Sequence, residues 1–257
     1  MRTALHAEWT KLRTSPATIW LLLAAVTLTA GVSAAAAATI PCKTAACLGD
    51  PAQISLTGVQ LGQAVVVILA VLAVSGEHAT GMIRTSLTAV PRRSTLLAAK
   101  AVAVTGVTMV TATVAVGTSV LAGRLLLPGS GYTAAHGFTP LSPTDGPTLR
   151  AAGGSMLYLC LIALLAVGVA TVVRDTGASI GVMLALLYLV PIVTQALTDP
   201  DWKRHLQQAT PTAGLAIQAT RHLDTVAIPP WHGLAVLAAW AAGALLAAAV
   251  LIRTRDT

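Results

Sequence analysis

Six stretches of the chain carry no charged residue over more than the roughly 20 residues that a membrane-spanning helix needs. A charge at the bilayer centre costs about 2.5–3.5 kcal/mol, so these intervals mark candidate spans more sharply than hydropathy alone. They lie between Arg13 and Lys43, Asp50 and Glu77, Lys100 and Arg124, Arg150 and Arg174, Asp175 and Asp199, and Asp224 and Arg253. We expect an all-α membrane protein with six transmembrane helices.

Composition agrees, because 55% of residues are hydrophobic and only 10% are charged, which is too little charge to cover a water-soluble surface. The predicted spans form one transmembrane domain over residues 17–257, preceded by a separate segment, 1–16. They cover about 17–39, 57–76, 96–122, 152–173, 177–197 and 232–252.

The first 16 residues form a predicted amphipathic helix, with Leu5, Trp9 and Leu12 at helical spacing. We expect it to lie on the cytoplasmic face of the membrane. The alternative is a cleaved signal peptide. The uncharged run from Thr14 to Cys42 is longer than a signal-peptide apolar region of roughly 7–15 residues, which favours a retained first span.

The connection between spans 5 and 6, residues 198–231, is predicted outside the spans yet contains several apolar residues. Trp202 and Trp231 flank it, and tryptophan is enriched at the membrane–water boundary. We therefore expect short interfacial or re-entrant helices there.

Lysine and arginine predict the orientation, because cytoplasmic connections collect them. With both termini in the cytoplasm, ten of the sixteen basic residues lie inside and six outside. The net charge of +7 is then mostly cytoplasmic, and the basic pI of about 9.9 requires no nucleic-acid partner.

Three cysteines are too few for a disulfide framework. Cys42 and Cys47 lie in the predicted first external connection, where a local disulfide and two free thiols both remain open. Cys160 falls within a predicted span, where packing is its simplest role.

The sequence contains no convincing catalytic or metal-binding motif, so we predict no catalytic, metal-binding or cofactor-binding residue. Gly177–Gly181 matches the G-x-S-x-G nucleophile motif, but that motif needs a strand-to-helix turn and here it opens a membrane helix. The same residues, like Gly58 and Gly62, are spaced for close helix packing. None of the four lysines follows a glycine, which excludes a Walker A phosphate loop.

The predicted spans contain no Asp, Glu or Arg, the residues that ion-coupled carriers place in the membrane. Lys100 is close enough to the boundary that we expect it to snorkel toward water. Gln60 and Gln63 are candidates for a substrate path, with interhelical hydrogen bonding as the alternative.

Two segments resemble the permease subunits of ABC-2 type exporters. One precedes span 1 and reads Glu8-Trp9-Thr10-Lys11-Leu12-Arg13; the other, between spans 2 and 3, runs from Gly76 to Leu87, through Pro91-Arg92-Arg93, to Lys100. The more specific pattern is an acidic residue, then Thr-Gly, Ile-Arg-Thr, Pro-Arg-Arg and a lysine opening the next helix. His78 departs from the aromatic residue that many members of this family have.

The resemblance implies a multi-pass protein of the bacterial plasma membrane that pairs with a second permease copy or homologue and with two separate ATPase subunits. Those ATPases would bind ATP and magnesium, and this chain would bind no cofactor. The cargo would be a hydrophobic or amphipathic compound, such as a drug, peptide or lipid. The residues expected to couple to the ATPase are Glu77, His78, Thr80, Gly81, Met82, Ile83, Arg84 and Leu87.

Position and pattern also favour docking at the 77–93 connection. Met82, Ile83 and Leu87 can share one helical face, and Arg84 would form its charged edge. The alternative for this segment is a helix resting on the inner leaflet with its arginines on lipid phosphates. Alternatives for the whole chain are a non-transporting immunity or assembly protein and a membrane-embedded enzyme.

Overall fold

A computed structural model describes residues 2–42, 49–79, 93–139, 141–142, 145–221, 223 and 226–254, with the backbone alone at 2–4, 77–79, 93–94 and 253. The described residues are mostly helical and include no strand. Six helices are long and apolar enough to cross a membrane, which confirms the predicted number of spans. Spans 1 to 6 are Pro16–Thr39, Val59–Ala79, Arg93–Leu126, Gly146–Val173, Thr176–Ala196 and Pro230–Thr254.

Span 4 lies at the centre of the bundle and contacts spans 2, 3 and 6, while span 1 packs on spans 2 and 3. The central side chains of span 4, Tyr158, Ile162 and Leu165, are almost completely buried. Spans 1, 5 and 6 are mostly exposed, as expected for helices that face lipid. The bundle therefore has a dry core around span 4 and an apolar outer surface.

Close approach between spans 1 and 2 depends on Gly58 and Gly62. A Cβ atom at Gly58 would lie 1.9 Å from the carbonyl oxygen of Thr29, and one at Gly62 would lie 2.0 Å from the Thr29 hydroxyl. This confirms the packing role predicted for the pair. Gly181 has no neighbouring atom within 4 Å of a built Cβ, so the second glycine pair makes no comparable contact within the chain.

The N-terminal segment forms the predicted helix, Arg2–Thr14, which ends just before Pro16 opens span 1. Leu12 is buried and Trp9 is partly exposed, with the Trp9 ring close to Gly106. The helix packs mainly on span 3. One end of the bundle, here called the N-terminal end, is thus covered by an amphipathic helix.

The opposite end is covered by a structure that we call the cap, made of residues 40–42, 49–58, 127–139 and 197–221. It contains two short 3-10 helices after span 3 and, after span 5, the helix Pro200–Ala209 followed by the 3-10 helix Pro211–Gln218. The Pro200–Ala209 helix has no buried residue, whereas the 3-10 helix is packed against spans 4 and 6. Short helices between spans 5 and 6 are therefore confirmed.

The buried 3-10 helix Pro211–Gln218 fits because glycines remove side chains on both sides of it. A Cβ at Gly214 would lie 2.8 Å from the Tyr158 ring, and one at Gly233 of span 6 would lie 2.1 Å from the Ala213 carbonyl oxygen. Gln218 Nε2 also donates to the Ser155 hydroxyl at 3.1 Å. The backbone of this segment is clamped between two spans.

Span 5 is not a regular helix. Thr176–Leu184 is followed by a π-helical turn, Ala185–Leu189, and then by Val190–Ala196. Pro191 lacks an N–H group and crowds the preceding turn, which gives the wide turn a physical cause. Tyr188 lies in this turn.

Spans 3 and 4 extend beyond their predicted bounds. Span 3 runs from Arg93 to Leu126 instead of 96–122, and span 4 begins at Gly146 instead of 152. Arg150 consequently lies in the second turn of span 4, although the charge-free interval predicted that this span begins after Arg150. Pro147 stands in the first turn of span 4, where a missing N–H leaves no helical bond unmade.

Candidate functional site

The N-terminal helix is joined to spans 2 and 3 by a cluster that we call the junction, comprising Glu8, Lys11, Lys100 and the carbonyl oxygen of Ala73. Lys100 Nζ lies 2.9 Å from Glu8 Oε2 and donates to the Ala73 oxygen at 2.7 Å. Lys11 Nζ lies 3.1 Å from Glu8 Oε1. One lysine of span 3 thus holds the N-terminal helix and the last turns of span 2.

The junction corrects the expectation that Lys100 snorkels to water. Its side chain is only 7% exposed, and that of Glu8 is 5% exposed. The N-terminal helix covers the end of span 3 and supplies a carboxylate there, so the ammonium group is neutralised within the protein. A buried, paired charge is costly to separate, which makes this contact specific in geometry.

Most of the predicted coupling residues cannot be placed. Glu77 and His78 belong to the last helical turn of span 2, where the backbone alone is described. Thr80, Gly81, Met82, Ile83, Arg84 and Leu87 lie outside the described residues. The junction is nevertheless adjacent to this segment in sequence, because Ala73 lies about one turn before Glu77.

Gln60 and Gln63, the candidates for a substrate path, have different surroundings. Gln63 is 1% exposed, and its Oε1 accepts a hydrogen bond of 2.5 Å from the Tyr158 hydroxyl of span 4. Gln60 is exposed, and its backbone oxygen accepts a hydrogen bond from the Tyr188 hydroxyl of span 5. Together they bond span 2 to spans 4 and 5 at membrane depth.

Span 3 contributes two buried hydroxyl groups, Thr105 Oγ1 and Thr108 Oγ1, that have no hydrogen-bond partner among the described residues. Threonine in a helix commonly bonds a carbonyl one turn earlier, as Thr111 does with Val107 at 2.9 Å. The two unpaired hydroxyls are therefore polar atoms whose bonding is unmet in this conformation.

The cap is organised around Asp50, whose buried carboxylate accepts five hydrogen bonds. Oδ1 caps the short helix Pro51–Ser55, and the carboxylate also binds Thr220 and the Arg221 backbone N–H at 2.5 to 2.8 Å. The Arg221 guanidinium stacks 4.5 Å from the Phe138 ring centroid. Asp50 and Arg221 thereby connect three of the four cap regions, 49–58, 127–139 and 197–221.

Cys42 is buried in the cap and is disulfide-bonded. Cys47, with which the sequence left a local disulfide open, lies outside the described residues. The Cys42 N–H donates to Ser130 O at 2.7 Å, and Gly131 has a φ of +96° with its Cα directly against the Cys42 carbonyl. Cys160 is buried and free, consistent with a packing role.

Sequence reasoning missed the pairing of Glu8 with Lys100, the Asp50 network and both membrane tyrosines. A usable signal existed for the tyrosines, since only three occur in the chain and two fall within predicted spans, where a hydroxyl needs a partner. Pairing between residues as distant as Glu8 and Lys100 leaves no such local signal.

In the part of the chain that the structure describes, no group of three or more His, Cys, Asp or Glu side chains is placed to hold a metal ion. No protein-family model matches the chain. No curated protein matches it at a significant level either.

Proposed function

We propose that the chain is the transmembrane permease subunit of an ATP-driven ABC-2 type exporter of the bacterial plasma membrane, with both termini cytoplasmic. It would pair with a second permease and obtain energy from two copies of a separate ATPase that binds ATP and magnesium. The cargo class is a hydrophobic or amphipathic compound. The proposal begins from the resemblance of the 8–13 and 76–100 segments to that family.

The observation that carries the proposal is the junction. The connection from Glu77 to Arg93, which resembles the coupling segment of these permeases, joins two spans that Lys100 binds together with the N-terminal helix. A displacement of this connection would therefore act on three helices at once. A plain tether between two spans would not need this support.

Hydrogen bonds between the spans support a path that is closed in this conformation. Gln63 is bonded to Tyr158, and Tyr188 bonds across to span 2 from an irregular π turn. π turns are frequent at functional sites because they let one helix change shape locally. On this proposal, movement of span 5 at this turn would break the Tyr188 bond to span 2 and open the side of span 2 that carries Gln60 and Gln63.

The proposal is tested by co-expressing the tagged chain with a candidate Walker-type ATPase from the same organism and measuring copurification and ATP-dependent efflux. Arg84→Glu should remove ATPase copurification, because it reverses a charge in the coupling segment. The matched control is Arg124→Glu, the same reversal at the other end of span 3. Unchanged ATPase binding and transport in Arg84→Glu would contradict docking at this connection.

Membrane insertion of both variants is measured in parallel. A variant that fails to insert would lose ATPase binding whether or not this connection is the docking site. A chain that binds the ATPase but supports no ATP-dependent efflux would favour the non-transporting assembly role. Turnover of a lipid or peptide by the purified chain without ATP would favour the membrane-embedded enzyme.

A further inference from the structure

A groove of about 540 Å³ lies on the outside of the bundle between spans 3, 4 and 6, close to the cap. Its walls are almost entirely apolar and include Met109 of span 3, Met156 and Leu157 of span 4 and Trp231 of span 6. Methionine side chains adapt to irregular hydrocarbon shapes. The groove is therefore suited to a flexible apolar chain.

A single charge lies at the mouth of the groove. Arg150 lines it and donates from one terminal nitrogen to the Ala219 carbonyl oxygen at 2.6 Å, while its buried Nε has no hydrogen-bond partner. The described residues supply no carboxylate within ion-pair distance of this guanidinium. A partly buried cation without a counterion is unfavourable, so this position attracts an anion.

The dimensions of the groove match one leaflet. It extends along span 4 from Gly146 to Leu157, which is about 16 Å of helix, and half of a hydrocarbon core is about 15 Å. Trp231 is 59% exposed in the first turn of span 6, and tryptophan is enriched at the membrane–water boundary. The position of Arg150 thus corresponds to that of a lipid headgroup, and the apolar walls correspond to the acyl-chain region of one leaflet.

Gly153 keeps the groove open. A Cβ atom at Gly153 would meet nothing within 4 Å, whereas one at the neighbouring Gly154 would lie 2.0 Å from Ile217 Cγ1. Glycine within a helix costs about 1 kcal/mol relative to alanine, and no contact within the chain requires it at Gly153. The missing side chain instead leaves space along the floor of the groove.

We propose that this groove binds one phospholipid from the leaflet at the cap end, with the phosphate on Arg150 and one acyl chain along span 4 from Gly153 to Leu157. The bound lipid fills the gap between spans 3, 4 and 6. This inference does not rest on the proposed transport function, since it requires only the bilayer.

The test uses the full chain in detergent micelles, a phosphatidylglycerol probe with a photoreactive acyl chain, and mass-spectrometric mapping of labelled peptides. Labelling should concentrate on the span 4 peptide, and Gly153→Leu should reduce it by at least about fivefold, equivalent to about 1 kcal/mol. The control is Gly117→Leu, a change at an exposed, equally unobstructed position of span 3. Uniform labelling of all lipid-facing helices, or unchanged span 4 labelling in Gly153→Leu, would overturn the proposal.

Competition identifies the ligand. Unlabelled phosphatidylglycerol should displace the probe, and inorganic phosphate at the same concentration should not; displacement by phosphate would instead indicate a small-anion site and overturn the lipid assignment. Arg150→Gln should weaken labelling by about tenfold, the effect of losing one charge-assisted bond, while Arg150→Lys retains most of it. Equal labelling in Arg150→Gln, with thermal unfolding unchanged, would refute the phosphate contact.

Discussion

The two ends of the bundle are closed by different chemistry. At the N-terminal end, the junction depends on one buried ion pair between two long side chains and a single backbone carbonyl. At the cap end, Asp50 binds backbone N–H groups of four residues, a disulfide holds Cys42, and glycines allow close contact between backbones. The ion pair of the junction can separate through side-chain motion alone. The backbone contacts of the cap can be lost only if several of them break at the same time. The cap is therefore the rigid end and the junction the end that can release.

The largest effect is expected from Asp50→Ala, which leaves the buried N–H of Ala52 and the partly buried N–H groups of Thr220 and Arg221 without an acceptor. Each unsatisfied donor costs about 1–3 kcal/mol, so the free energy of unfolding should fall by more than about 4 kcal/mol. Unfolding in mixed micelles, followed by circular dichroism, measures it. The control is Asp145→Ala, since no side-chain cap bond forms at that helix start. A loss no larger than that of the control would break the description of the cap as rigid.

The next largest effect is expected at the junction, where Glu8→Gln removes the counterion of a buried Lys100. Removing one partner of a buried pair costs about 3–5 kcal/mol. Lys100→Met should cost less, because Glu8 keeps its contact with Lys11. The double variant Glu8→Gln/Lys100→Met should recover to within about 1 kcal/mol of the parent chain, since no charge is then left unpaired on span 3.

Amide hydrogen exchange locates the change at the junction. In Glu8→Gln, residues 2–14 should exchange faster while the cap residues 49–58 stay protected. Additive costs in the double variant, or equal loss of protection at both ends, would contradict an independently releasable junction.

A smaller effect is expected from Gly58→Ala, where the new methyl group would meet the Thr29 carbonyl oxygen. Overpacking of this kind costs about 1–3 kcal/mol, because the backbones of spans 1 and 2 must separate. Gly117→Ala is the matched control, since nothing lies within 4 Å and alanine favours the helix. Thermal unfolding of both variants sharpens the comparison by showing how far backbone contact, and not the Asp50 network alone, stabilises the cap half.

The smallest effect is expected midway between the two ends, from Gln63→Leu. Interhelical hydrogen bonds in membrane proteins average about 0.6 kcal/mol, so loss of the Tyr158 bond should change stability only slightly. If Gln63 serves a path, efflux should change much more than stability. A matched Gln53→Leu substitution, outside the six spans, controls for general loss of polarity. A loss of stability above about 2 kcal/mol would assign Gln63 to the structural core.

Much of the fold was predictable because the bilayer penalises charge so strongly that six charge-free intervals had to be helices. Span 4 was misplaced at its start since Arg150 is accommodated by a distant acceptor, Ala219, that no local pattern reveals. Lys100 was misassigned for the same reason, as Glu8 is far away in sequence. The packing role of Gly58 and Gly62 was predictable because two small residues four positions apart lie on the same helix face, where a neighbouring helix can approach closely. The coupling residues from Thr80 to Leu87 stay a prediction.

The buried 3-10 helix Pro211–Gln218 constrains how the protein is made. This segment is clamped between spans 4 and 6, and its clamp includes Gly233, which leaves the ribosome after it. Until span 6 has entered the bilayer, the polar backbone of Pro211–Gln218 has no partner on that side, and hydrocarbon offers none. We therefore expect this segment to stay at the membrane–water boundary after spans 1 to 5 have inserted, until span 6 inserts. Span 6, which is synthesised after this segment, completes the packing around it.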